Sequence, residues 1–292
     1  MNGTCRLCNK EDDLKESHFI PKFVGKWIKK TSVTGYIREK NELHKRAQDI
    51  AKEYWLCGCC EQLFSNWERE FANKIFYPFV DQGKSVASYG NWMSKFCASI
   101  SWRTLTYIRS KNPNDELNQE RKDLLDGVQE HLSKYLLGAA NNLYQYEQHL
   151  FPLEKIESMD SFRLPPSINR YFLRTLGMDI IGNNADQYIF TKLPLFILLG
   201  VIKAKNINAM RSSRISIKSG ALSPREYRWP DGFVGYLFEK ADEIIALHQS
   251  IPQKHRDSFD RYIRENPEKV IKSKQFQAFL DDYERVGDDV FN

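Results

Sequence analysis

Apolar residues recur every three or four positions over most of this chain and in alternation only over short stretches. That pattern predicts a mainly helical protein with a minor sheet. Met93, Phe96, Cys97, Ile100 and Tyr107 mark one helix, closed by the polar run Lys111-Asn112-Pro113-Asn114-Asp115. Leu117, Leu125, Val128, Leu132 and Leu136 mark a second, which Gly138 ends. Residues 67–72 read as a helix that Pro78 ends or kinks. The middle of the chain changes character: residues 178–181, the turn Gly182-Asn183-Asn184 and residues 188–190 predict strand, turn and strand. Residues 214–217 and 227–229 can add further strands. The longest apolar run, 194–202, is a buried strand or helix, too short to span a bilayer. Helical spacing returns at Val234, Leu237, Phe238, Ala241 and Ile245, and again at Phe276, Leu280 and Tyr283. The expected class is α+β, with a small cysteine-rich head at 1–78 and a larger, mainly helical domain with a minor antiparallel sheet at 79–292.

Composition narrows the function classes. Hydrophobic residues make up 41% of the chain, enough for a real core and against wholesale disorder. A net charge of +5 permits nucleic-acid binding without requiring it. No basic stretch followed by an apolar one opens the sequence, so a signal peptide is not expected. The expected location is the cytoplasm, with no membrane association. There cysteines stay reduced, and paired cysteines point to metal rather than disulfides.

The cysteines are unevenly placed. Five of the six lie within the first 60 residues, and Cys97 reads as a buried thiol on a helical stripe. Cys5-Arg6-Leu7-Cys8 and Cys57-Gly58-Cys59-Cys60 are two C-x-x-C knuckles. Two intervening residues let both thiolates of a knuckle reach one ion, and two knuckles complete a tetrahedral site. Cys5, Cys8, Cys57 and Cys60 are therefore expected to hold a structural Zn²⁺, with Cys59 pointing away. Such a staple suits a segment too short to bury enough apolar surface on its own. It says nothing by itself about catalysis.

Between the knuckles stands Glu16-Ser17-His18-Phe19-Ile20-Pro21-Lys22, and the second knuckle runs into Glu61 and the helical stretch to Glu68. With these residues the first quarter of the chain resembles the HNH (ββα-metal, His-Me finger) endonucleases of the zinc-stapled type. The resemblance implies a metal-dependent phosphodiester hydrolase with His18 as general base. It also implies a catalytic Mg²⁺ or Mn²⁺ stabilising the leaving group, bound at Glu61, the residue after the last zinc cysteine. Glu68, two helical turns further on, can add a second carboxylate or orient the first. The chain departs from the pattern in two ways. Ser17 stands where many relatives carry an acidic metal ligand, so that Ser17 binds through water or Glu16 or Glu68 supplies the charge. The gap from His18 to Cys57 is long, and the usual central Asn has only Asn41 and Gln48 as candidates.

That gap is basic. Lys22, Lys26, Lys29, Lys30, Arg38, Lys40, Lys45 and Arg46 stand against Glu39 and Glu42, with Trp27 and Tyr36 interleaved. These side chains are candidates to grip phosphates without reading bases. His131, His149, His248 and His255 lack metal-ligand spacing and read as structural or surface residues. The expected partner is nucleic acid, DNA ahead of RNA, with a homodimer or a regulatory protein also open. The setting such stand-alone proteins suggest is phage defence or a mobile element. Two alternatives stand beside the DNA endonuclease: a zinc-stabilised binding module without catalysis, and an RNA-specific nuclease using the same site.

Overall fold

The computed structural model describes residues 1–37, 50–111, 118–159, 163–223 and 225–291. In chain order the first elements are β1 (Asn2–Thr4), β2 (Glu11–His18), α1 (Lys22–Thr31), β3 (Lys52–Cys57), α2 (Gly58–Phe71) and α3 (Tyr77–Gln82). There follow β4 (Ala87–Tyr89), α4 (Trp92–Lys111), α5 (Gln119–Leu136), β5 (Gln148–Pro152) and α6 (Ile168–Arg174). The chain then forms β6 (Gly177–Gly182), β7 (Gln187–Leu193), β8 (Phe196–Lys203) and β9 (Gly220–Leu222). It closes with α7 (Phe233–Gln249), α8 (Gln253–Glu265), α9 (Pro267–Ile271) and α10 (Lys274–Val286). The protein is thus mixed α and β with helix predominant, and among the described residues there are three small antiparallel sheets, ordered β1-β2-β3, β4-β9 and β5-β8-β7-β6. Among the described residues no helix is long and apolar enough to cross a membrane.

The chain divides into two compact units whose segments interleave. The first comprises Met1–Pro21, Ala51–Pro152 and Leu176–Pro230; the second comprises Lys22–Ile50, Leu153–Thr175 and Asp231–Asn292. No division falls at residue 78. α2 passes through a π turn, Ala72–Phe76, directly into α3, and all of this belongs to the first unit. Pro78 sits in the first turn of α3 rather than ending a helix. The widened π turn just before it is where the helix adjusts to the missing N–H and the bulk of the proline ring.

In the first unit, α4 is the central element, packed against the β5-β8-β7-β6 sheet and against α2 and α5. Its small hydroxyl residues are buried along with its apolar ones: Ser99, Ser101 and Thr104 are nearly inaccessible. Their hydroxyls bond to Phe96 O, Gln148 Oε1 and Thr191 Oγ1, so the polar groups stay satisfied inside the core. The expected strand pair at 178–190 is the β6–β7 hairpin, turned at Gly182 (φ +124°), and the run 194–202 becomes strand β8. The other expected strands do not form. Arg214 makes only an isolated bridge to His149, and Trp229 instead stacks on Phe151 at 4.3 Å between centroids. Aromatic packing against the sheet face has replaced backbone pairing there.

In the second unit, α1 presents Val24, Trp27 and Ile28 inward. Arg174 at the end of α6 is half-buried, donates to Thr31 Oγ1 and Ile28 O, and lies over the Trp27 ring at 4.8 Å. Its cation thereby meets the orphan carbonyls and negative end of α1. The fully buried carboxylate of Asp282 accepts from the backbone N–H groups of Asn169 and Arg170 at the start of α6.

Candidate functional site

The two knuckles come together. The four sulfurs of Cys5, Cys8, Cys57 and Cys60 lie within 4.8 Å of one another, the arrangement that can hold a metal ion such as zinc. Tetrahedral ligation at ~2.3 Å implies sulfurs about 3.8 Å apart, and Cys8 and Cys57 are 3.8 Å apart. The first knuckle is shaped by Asn9 in the left-handed region (φ +58°), with Asn9 N–H donating to Cys5 O and Cys5 N–H to Lys10 O. Asn tolerates that conformation better than most residues. The second knuckle joins the end of β3 to the first turn of α2, and exposed Cys59 points away from the cluster. Burial opposes ionisation of Cys5, yet backbone hydrogen bonds from Cys57, Cys8 and Leu7 bring its thiol down to about 7. Burial raises the thiols of Cys8 and Cys60, and in Cys60 the crowded neighbouring sulfurs raise it further. Four such thiolates need a cation among them, which is what a divalent ion supplies.

β2 lies antiparallel between β1 and β3, and His18 is its last residue, opposite Lys52. A bulge interrupts the β2–β3 register between Lys15 and Glu16, leaving Trp55 as the extra residue. Leu14 and Ser17, three positions apart, are consequently the buried residues of β2. Ser17 is thereby turned toward α2, and its hydroxyl donates to Glu61 Oε2 at 2.7 Å. Glu16 falls on the other side and pairs with Lys52 at 2.7 Å, exposed. It is therefore not brought to Glu61, and the ligand role expected for Glu16 has no contact to support it.

The second carboxylate of α2 is also committed. Glu68 pairs with Arg103 of α4 at 2.6 Å, with Arg103 only 4% and Glu68 19% exposed. The same guanidinium donates to the backbone carbonyl of His18 at 3.0 Å and lies 5.0 Å from the Phe64 ring centroid. Arg103 thus ties α2 to the end of the strand that carries His18, a role the sequence reading missed. Next to it, Phe19 packs between Trp55 at 4.4 Å and Tyr107 at 4.2 Å. Two linked contacts thus form a constellation within the first unit: Ser17 bonds to Glu61, which directly follows Cys60, and Glu68 reaches the main chain of His18 through Arg103. Among the described residues no second group of three or more His, Cys, Asp or Glu ligands gathers closely enough to hold a metal.

The basic segment resolves into a helix over part of its length. Lys22, Lys26 and Lys30 are exposed at spacings of four on α1, Lys29 is half-buried, and the helix contains no acidic residue. Arg38, Lys40, Lys45 and Arg46, like Asn41 and Gln48, lie outside the described residues. His149, expected to be structural, is fully buried, with Nδ1 3.0 Å from Ser213 Oγ, and His131 Nε2 lies 3.0 Å from Asn142 O. Comparison of the chain with protein-family models, with curated proteins and with solved structures finds no match.

Proposed function

We propose that the protein is a metal-dependent endonuclease of the HNH kind acting on DNA, with His18 as the general base. The observation that carries this reading is the constellation above. His18 ends a strand that is held across α2 by the Ser17–Glu61 hydrogen bond and by the Glu68–Arg103–His18 carbonyl relay, next to a four-cysteine cluster. Two antiparallel strands followed by a helix, stapled at their junction, are what the sequence resemblance implies.

In this reading an imidazole nitrogen of His18 takes the proton of the water that attacks phosphorus. Arg103 fixes the His18 main chain, so the ring is presented from a rigid strand end rather than a loose loop. The Glu61 carboxylate, oriented by Ser17, would hold the divalent cation. That cation, when bound, supplies positive charge to the scissile phosphate and the leaving oxygen. A single protein carboxylate suits Mg²⁺, which keeps several waters and takes its remaining ligands from phosphate. Glu68 serves as the counter-ion of Arg103 and not as a ligand. In the second unit, the exposed lysines of α1 are by themselves a surface with attraction for a phosphate backbone independent of sequence.

The zinc-stabilised binding module without catalysis has one observation in its favour: Glu16, Glu61 and Glu68 all already have protein partners. One experiment separates the two. Supercoiled plasmid, single-stranded DNA and RNA are incubated with the zinc-loaded protein and Mg²⁺ or Mn²⁺, alongside His18→Ala and Glu61→Gln proteins of unchanged zinc content. Cleavage by the unaltered protein that is lost in both variants is the expected result. Cleavage that survives in His18→Ala, or nucleic-acid binding without any cleavage, would overturn the enzymatic reading.

A further inference from the structure

A cavity of about 280 Å³ opens in the first unit. Its walls come from the 3-10 turn Ile207–Ser213, strand β9 and the chain on either side of β9, closed by Tyr89 at the end of β4. Three arginines line it, Arg211, Arg214 and Arg225, and no lining residue is acidic. The walls are fixed by specific contacts. The Arg225 guanidinium donates to Ser212 O at 3.2 Å and to Ser223 Oγ at 2.8 Å, joining the two sides of the opening. The Tyr89 hydroxyl accepts from Ser216 N–H at 3.2 Å and approaches Gly220 so closely that a Cβ there would lie 2.4 Å from it. Arg214 pairs with Glu147 at 3.1 Å. The exposed Arg211 side chain makes no hydrogen bond and no close ion pair among the described residues, and feels the Glu147 carboxylate only at longer range.

Three guanidinium groups with one carboxylate leave two uncompensated positive charges around a small concavity. Like charges held together repel, and a dianion relieves that repulsion. The planar fork of arginine matches two phosphate oxygens at once, and Arg225 is already held in place by its wall contacts. The volume lies at or just below the low end for drug-sized ligands, which suits a phosphate with a sugar-sized group attached. We propose that this cavity binds a terminal phosphate, the monoester dianion of a nucleotide-sized ligand or of the 5′ end of a strand. Arg211 supplies the free charge and Arg225 the preset donor. The site is separate from the constellation around His18 and does not rest on the nuclease reading.

The test is calorimetric titration of the full-length, zinc-loaded protein without added divalent cation. The probes are inorganic phosphate, a nucleoside 5′-monophosphate, the matching nucleoside, and a short oligonucleotide with and without a 5′-phosphate. The expected result is saturable binding that weakens about tenfold or more when the phosphate is absent. Arg211→Gln should weaken it by a similar factor, while Arg211→Lys, which keeps charge but loses the fork, should fall between. Preference for the free nucleotide or for the phosphorylated strand identifies which source the site serves. Because Arg211 is exposed and unpaired, an unchanged unfolding midpoint is expected for both variants. Equal binding of phosphate-free probes, unaltered affinity in Arg211→Gln, or no saturation by ~10 mM with any probe would each overturn the proposal.

Discussion

Replacing Arg103 with Met removes a side chain of α4 that joins α2 to the end of β2. The substitution keeps most of the unbranched stem, so the cavity left behind is small and the loss is chiefly electrostatic. A hydrogen bond to a charged group contributes about 1.5–3 kcal/mol, and removing one partner of a buried ion pair costs about 3–5 kcal/mol. Glu68 retains 19% of its exposure, so water recovers part of that cost. The expected destabilisation is about 2–4 kcal/mol, read as a lower urea midpoint at unchanged slope with the metal content intact. The mechanism makes a second, sharper demand. If the cost comes from leaving Glu68 without its cation, then Arg103→Met combined with Glu68→Met should be more stable than Arg103→Met alone. An apolar pair of similar volume is often close to neutral against a buried ion pair. A single variant within about 0.5 kcal/mol of the unaltered protein, or a double variant equal to the sum of the two singles, would refute the coupling.

Two other outcomes are expected. Cys5→Ser and Cys57→Ser should each lose a stoichiometric metal ion and unfold at lower temperature, whereas Cys59→Ser should keep both properties; loss of the ion in Cys59→Ser, measured by atomic emission, would contradict the four-cysteine assignment. Burial holds the His149 imidazole down to about 4, against ~6.5 in an unfolded chain. Its neutral form is therefore the folded one, so its contribution is complete above pH ~6.5 and is lost as the pH falls toward 4, by up to about 3 kcal/mol. Urea unfolding at several pH values should show that extra acid sensitivity in the unaltered protein and not in His149→Gln. Parallel curves would remove His149 from the account.

Much of the site was readable because it rests on local spacing. Two C-x-x-C knuckles state their own geometry, and a histidine ten residues after the first one fell at a strand end. The stripes at 93–107, 234–245 and 276–283 became α4, α7 and α10 for the same reason. Other features depend on partners remote in sequence. Arg103 had a visible signal, since it stands with Phe96, Ile100 and Tyr107 on the apolar stripe of α4, where a charged residue needs a buried partner. The partner itself, Glu68, was visible only in three dimensions. α1 also left a trace, Lys22, Lys26 and Lys30 at helical spacing opposite Val24, Trp27 and Ile28, a periodicity that the high charge of the segment masks. The bulge at Trp55 left none: strict alternation in β2 would have paired Leu14 with Glu16, and a one-residue slip gave that place to Ser17. The interleaving of the two units was equally invisible, because no composition shift marks its boundaries.

That interleaving sets an order of events during synthesis. The second unit closes contacts as distant as Val33 N–H to Gln275 Oε1, 242 positions apart. At ~5–20 residues per second, α1 leaves the ribosome on the order of 10–50 s before α10 exists to complete its surroundings. Through that interval the Val33 N–H lacks its Gln275 acceptor. Every segment of the first unit, by contrast, has been made by residue 230. The second unit therefore stays incomplete until the segment from Asp231 onward arrives, and it is in this period that a chaperone has the most to protect.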